Sequence, residues 1–175
     1  MEPVEINAGA YYLRQLRADD RLDDRPALVA AFADPELRRF VTRWRIDDFA
    51  GATDYVARRA DEWRSGERCS WAVAEPTSGA LLGEIDLIRL DQHWHLAEAG
   101  CWVAPAARGK GVASVALAAA LRFGEAAMGL AQVDYLHHEE NGASAQVARK
   151  CGFTRHGMRD GLVVHSIKFG APDNH

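Results

Sequence analysis

Residues 100–124, GCWVAPAARGKGVASVALAAALRFG, put two glycines and two basic side chains between a strand-like apolar piece and an alanine-rich helix. Trp102 and Val103 run into the turn Ala104-Pro105-Ala106-Ala107, and Arg108-Gly109-Lys110-Gly111-Val112-Ala113-Ser114 follows. Strand, glycine turn and helix, in that order, form a layout that holds phosphate. Glycine lets the backbone approach a ligand and adopt turns closed to other residues. A helix start adds free N–H groups and the positive end of the helix dipole. Arg108 and Lys110 add full charges. The spacing is not that of a P-loop, because Gly111 and not Ser or Thr follows Lys110. Gly109-x-Gly111-x-x-Ser114 is also an imperfect dinucleotide fingerprint. On this motif alone, a plain glycine turn with two solvated basic residues remains open.

A second cluster lies at Asn141-Gly142-Ala143-Ser144, continuing to Gly152-Phe153. Asn141 is a natural helix N-cap, and Gly152 a helix C-cap. Ser144, Val147, Ala148 and Cys151 share one helix face by their spacing. Ser144 therefore points with the core-facing residues, which is unusual for a serine serving only solubility. A purely capping and structural role for this segment also stays open.

The elements that must position these groups follow from periodicity and punctuation. Residues 10–17 read as a first strand, and Asp19 or Asp20 as the cap of a helix to Phe32. Asp34-Pro35-Glu36 starts a short helix. Asp47 or Asp48 caps a longer one through Trp63 that ends at Ser65-Gly66. Residues 69–75 and 80–90 form a hairpin across Pro76–Gly79. Strand 95–103, helix 111–128 and strand 132–139 make a crossover unit, which requires one parallel pair. A helix from Asn141 and one or two final strands, 165–169 the clearer, complete the chain. The expected fold class is α+β (mixed α/β): a mixed, mostly antiparallel twisted sheet with helices on both faces and one parallel βαβ crossover. A single domain over residues 1–175 is expected from the length.

Composition narrows the function. A net charge of −4 argues against a nucleic-acid surface as the main activity. No apolar run reaches the roughly 20 residues of a membrane helix, and the acidic N-terminus does not resemble a signal peptide. Cys69, Cys101 and Cys151 are scattered and odd in number, so a disulfide frame or zinc site is not expected. The expected setting is a reducing cytoplasm, with no membrane or nucleic-acid partner.

Taken together, the two motifs resemble the GNAT superfamily of acyl-CoA-dependent N-acyltransferases. Arg108-x-x-Gly111-x-Ala113 is similar to its Arg/Gln-x-x-Gly-x-Gly/Ala loop. The Asn141-x-x-Ser144 segment, the strand Ala97–Val103 and Leu82-Gly83-Glu84-Ile85 resemble the RimJ/RimL-like branch. The resemblance implies acetyl-CoA as cosubstrate and no metal. It implies direct transfer to a primary amine, on a protein N-terminus or a small molecule. Trp102, Val103, Arg108, Gly109, Lys110, Gly111, Val112, Ala113, Ser114, Asn141 and Ser144 would then hold the cofactor. The amides of 108–114 would cradle the diphosphate. The pantetheine arm would pair with backbone where strand 95–103 splays from strand 132–139.

Acyl transfer to an amine needs a proton acceptor, an oxyanion donor and help for the leaving thiolate. The branch resemblance gives the thiol role to Ser144; no tyrosine follows Tyr135. Glu98, on Trp102's face of its strand, is the first candidate base. Glu84 is the second, acting through a water, and the N–H of Val103 is the oxyanion donor. Either carboxylate also reads as an ordinary solvent-facing strand residue. Cys101 falls on the opposite face and is expected under the helices, not as a nucleophile; the resembling branch usually has Tyr there. Of His137 and His138, alternation turns one inward and one outward, which does not suit paired metal ligation.

Arg38, Arg39, Arg43 and Arg45, interleaved with Phe40 and Trp44, read as a solvated flank balancing nearby acids, with recognition of an acidic acceptor as the alternative. Trp63, Trp71 and Trp94 read as core or pocket wall. A homodimer through an exposed strand edge is a possible assembly. Two other functions fit the same sequence: a non-catalytic CoA-binding or regulatory module, and a nucleotide-binding protein of another fold.

Overall fold

Three polar residues start helices by accepting an N–H of the first turn. Asp34 accepts from Leu37, Asp48 from Gly51 and Asn141 from Ser144. They open α2 (Pro35–Phe40), α3 (Phe49–Ser65) and α5 (Gly142–Lys150). The remaining helices are α1 (Arg25–Phe32) and α4 (Val112–Met128) in the computed structural model, which describes residues 1–170. Residues 171–175, the end of the domain expected over 1–175, lie outside the described residues.

The strands are β1 (Ile6–Asn7), β2 (Tyr12–Arg14), β3 (Arg68–Ala74), β4 (Leu81–Asp91), β5 (Leu96–Val103), β6 (Gln132–His137), β7 (Thr154–Arg159) and β8 (Leu162–Lys168). They form one sheet in the order β1-β2-β3-β4-β5-β6-β8-β7. Every neighbouring pair is antiparallel except β5 and β6, which are joined through α4 by the expected crossover. This is the mixed fold the sequence leads one to expect.

Alternation sorts the strand residues between two apolar layers. Trp71, Val73, Ile85, Leu87, Ala97 and Ala99 pack with α4 and with Ala148 of α5. Trp102 faces the other way, into a cluster with Leu28, Phe32, Ala52 and Tyr55 of α1 and α3. Because β2 covers only Ala72–Ala74 of β3, the rest of that edge is free of strand partners. Trp63 covers it from the end of α3, donating its indole N–H to Ser70 O at 2.7 Å and stacking edge-on against Trp71.

The N-terminal quarter departs from expectation. The first strand spans only Tyr12–Arg14, and β1 precedes it. No helix starts at Asp19 or Asp20; the Asp19 carboxylate takes the N–H groups of Arg21 and Leu22 in a turn. Helix α1 begins at Arg25, because Asp24 is drawn into a buried bidentate pair with Arg14, both contacts at 2.8 Å. Trp94, expected in core or pocket wall, lies exposed in the turn between β4 and β5.

Candidate active site

Pairing between β5 and β6 stops at Ala99–Tyr135, although both strands continue for several residues with their other neighbours. The two strands therefore diverge toward their C-terminal ends. A cavity of about 380 Å³ opens beside this split. Of the residues expected to hold a cofactor, Trp102, Val103, Arg108, Gly109, Gly111, Ala113, Ser114, Asn141 and Ser144 line it. Val112 does not: its side chain is buried in the core. Lys110 does not either, and its ammonium donates to Ala106 O at 3.0 Å.

Gly109 and Gly111 have φ of 74° and 75°, the left-handed region that disfavours side chains. This turn leaves the N–H groups of Gly109 through Ser114 without a protein acceptor among the described residues. They are the unpaired donors of a helix start, next to the positive end of the α4 dipole. The Arg108 guanidinium is not directed at the turn. It pairs with Asp34 at 2.6 Å and Glu36 at 2.7 Å, tying the turn to the start of α2. This contact and the Leu37 N–H hold the Asp34 carboxyl below its ordinary pKa.

Ser144 sits where the helix α5 start meets the split. Tyr135, buried on β6, donates its hydroxyl to Ser144 Oγ at 3.3 Å and lies 3.1 Å from Cys101 Sγ. Burial, then the neighbouring Cys101, raises the Tyr135 pKa well above its ordinary value, so the phenol stays a donor. Burial likewise pushes the Cys101 thiol up to about 11, which disfavours a nucleophilic thiolate. In sequence the signal of Tyr135 is alternation alone, which places it on the same face of β6 as Val133 and His137.

A second cavity, of about 230 Å³, lies against the first, and the two share Phe40, Val41, Cys101, Trp102, Asn141 and Ser144. Its walls also include Tyr55, Arg59, Arg68, Asp86, Glu98 and His137. His137 is buried with its Nε2 3.1 Å from His165 Nε2, while His138 is exposed.

The carboxylates divide sharply by environment. Glu84 is 1 % exposed and accepts from Tyr55 (2.7 Å), Trp102 Nε1 (3.1 Å) and Arg59 Nε (2.8 Å). Glu98 shares the face of Trp102, as expected, and pairs with Arg89 at 2.9 Å and Arg159 at 3.3 Å. It stands four residues before Trp102, roughly 13 Å along the strand. Asp86, which the sequence did not single out, lines the second cavity and takes Arg68 Nη1 on Oδ2 at 2.9 Å; its buried Oδ1 has no partner. Burial first, then the negative charge of Glu84, raises its pKa well above the carboxylate range.

In the basic cluster, Arg38 and Arg45 pair with Asp47, and Arg39 pairs with Glu140. The reading as a charge-balanced flank describes these three. Arg43 lines the second cavity and has no ion-pair partner among the described residues.

Residues 12–154 match the family described as an acetyltransferase (GNAT) domain. The chain is 24% identical over 135 residues to the uncharacterized N-acetyltransferase YoaA of Bacillus subtilis, covering 77% of this chain and 76% of that protein. Among solved structures, an acetyltransferase (GNAT family) from Bacillus anthracis superposes with a TM-score of 0.79 at 19% identity, covering 94% of this chain and 98% of that one. Mycobacterium smegmatis RimJ, in complex with CoA-disulfide, gives 0.77 at 22% identity, covering 95% and 86%. These likenesses establish a shared fold. With the family match spanning most of its length, the chain belongs to the GNAT acetyltransferase family.

Proposed function

We propose that residues 1–175 act as one N-acetyltransferase domain that moves the acetyl group of acetyl-CoA directly to a primary amine. The observation that carries this is the junction of two cavities at Cys101, Trp102, Asn141 and Ser144. A thioester lying in the first would present its carbonyl to an acceptor in the second, with no need for a covalent acyl-enzyme.

In this reading the free amides of Gly109–Ser114 bind the diphosphate, and backbone outweighs Arg108 and Lys110, whose charges are engaged elsewhere. The pantetheine follows the edge of β5 that β6 leaves unpaired. Asn141 spends its Oδ1 on the helix cap, so its amide N–H2 is the part available to the arm. Ser144 donates to the departing sulfur, and the Val103 N–H faces the developing oxyanion. The similar Mycobacterium smegmatis RimJ is a complex with CoA-disulfide, which supports this reading. The arginine partners of Glu84 and Glu98 favour structural work for both carboxylates over proton transfer.

The test is thiol release from acetyl-CoA in the presence of primary amines and short peptides with free N-termini. Ser144→Ala is expected to cut turnover roughly 100-fold while leaving the heat of CoA binding in place. Absence of any CoA binding by calorimetry overturns the reading. CoA binding with no turnover on any amine would instead support a non-catalytic CoA module.

A further inference from the structure

The second cavity is floored by a network of buried charges. Arg59 pairs with Glu62 and Glu84, and Arg68 with Glu62 and Asp86. Glu62 also takes the exposed Arg58 at 3.1 Å, so three guanidinium groups face three carboxyl groups. The pairing is uneven: Asp86 takes one guanidinium on Oδ2 and keeps a buried Oδ1 with no partner. Of the three carboxyl groups, Asp86 is the one on the cavity wall. It stands opposite Gly100 in the β4–β5 register, and a side chain at 100 would set its Cβ 3.9 Å from Asp86 Oδ2. Glycine there leaves Oδ2 uncovered on the side where Gly100 itself lines the cavity.

We infer that Asp86 receives the acceptor: the ammonium of a primary amine enters the second cavity over Gly100, docks on Asp86 Oδ2 and gives up a proton to it. This rests on the acetyl-transfer reading above and adds the residue and the charge state of the acceptor. The ionised carboxylate takes one proton from the R–NH3⁺ group, which frees the nitrogen lone pair. The C–N bond forms as the C–S bond breaks. The second proton lost by nitrogen goes to the thiolate, and the proton on Asp86 leaves to solvent.

The groups facing Asp86 are Tyr55, Arg59 and Glu62 of α3, Arg68 of β3 and Glu84 of β4. From the walls come Glu98 and Cys101 of β5 and Tyr135 and His137 of β6. Burial and Glu84 make Asp86 hold a proton beyond the ordinary carboxylate range. An incoming ammonium therefore displaces that proton, and its affinity rises with pH until the amine itself loses its charge.

The experiment is calorimetry on the CoA-saturated protein with benzylammonium chloride and its uncharged counterpart, benzyl alcohol. The wild type is expected to prefer the amine by roughly tenfold or more, as for a charge-assisted hydrogen bond. It should also release protons on amine binding near neutral pH, detected by repeating the titration in buffers of different ionisation heat. Asp86→Asn should abolish both the preference and the proton release. Gly100→Ala keeps the carboxylate but sets a methyl beside Oδ2, and should reduce the preference even if Asp86→Asn does not fold. Equal binding of amine and alcohol by the wild type, or a preference that survives in both variants, overturns the inference. Loss of CoA binding with the amine preference kept, titrated without CoA, would sink the acetyl-transfer reading and leave Asp86 as an ammonium site.

Discussion

The Tyr135 hydroxyl donates to Ser144 Oγ across 3.3 Å, linking the end of β6 to the first turn of α5. With Tyr135 as donor, the Cys101 thiol 3.1 Å away supplies the matching S–H. The chain of donors ends on Ser144, whose own O–H is then turned outward.

Tyr135→Phe removes the middle of that chain. A neutral hydrogen bond is worth about 1 kcal/mol net, so the expected loss in kcat is roughly fivefold. The loss at Ser144→Ala should be far larger, and CoA affinity should stay near wild type in both. Steady-state thiol release with paired CoA titrations separates the two effects. A Tyr135→Phe variant as impaired as Ser144→Ala would assign the tyrosine a direct part in the chemistry.

Glu84→Gln tests the buried anchor. Glutamine keeps an acceptor for Tyr55 and Trp102 but leaves the Arg59 charge undercompensated at a site with 3 % side-chain exposure. Breaking one side of a buried ion pair costs about 3 kcal/mol, a drop in Tm of roughly 6–12 °C for a chain of this size. A thermal melt unchanged from wild type would show that Arg59 relies on Glu62 alone.

The two left-handed glycines carry a backbone prediction. Alanine at 109 or 111 meets nothing closer than 3.8 Å, so the penalty is conformational, not steric. Holding a non-glycine residue in that region costs about 1–2 kcal/mol. If the turn relaxes to escape it, CoA affinity falls by roughly 5- to 30-fold, readable by calorimetry. Gly83→Ala acts differently. Its Cβ would fall 2.3 Å from Trp102 O, so β4 and β5 must separate, and the soluble, folded yield should drop.

Asp86 also predicts how stability follows pH. Its folded pKa is raised above the unfolded value near 4. The proton therefore binds the folded state more tightly. That contribution is complete below about pH 4 and is lost as pH climbs toward the folded value. Asp86→Asn, which stays neutral, should gain in Tm relative to wild type as pH rises from 5 to 8. A difference that is flat across this range would mean that Asp86 is ionised throughout.

Much of the fold was legible because its signals are local. The Asn141 and Asp48 caps, the Pro76–Gly79 hairpin turn and the strand–helix–strand spacing from 95 to 139 each depend on a few adjacent residues. Asp19 misled because its carboxylate serves a turn, and the helix starts later, beyond Asp24, which Arg14 claims. In the proposed site, Ser144 and the glycine turn stand out in sequence by their spacing. Asp86 did not: on a strand it reads as one more alternating polar residue. Its character comes from burial, from Glu84 beside it on β4, and from Arg68 and Arg59, brought over the sheet by β3 and α3. Tyr135 is hidden for the same reason, since its partners sit 34 residues before it and 9 after it.

The clasp of Arg108 on Asp34 and Glu36 gives α2 a double duty. Leu37 and Phe40 on that helix and Val41 at its end wall the groove, and the last two reach the neighbouring chamber as well. Turn and helix are thereby yoked, so in the proposed reading the width of the acceptor's entrance and the seat of the nucleotide end form one mechanical variable. A bulky acceptor that shoulders α2 aside would tug on the diphosphate cradle, and its size would register as weaker grip on the donor.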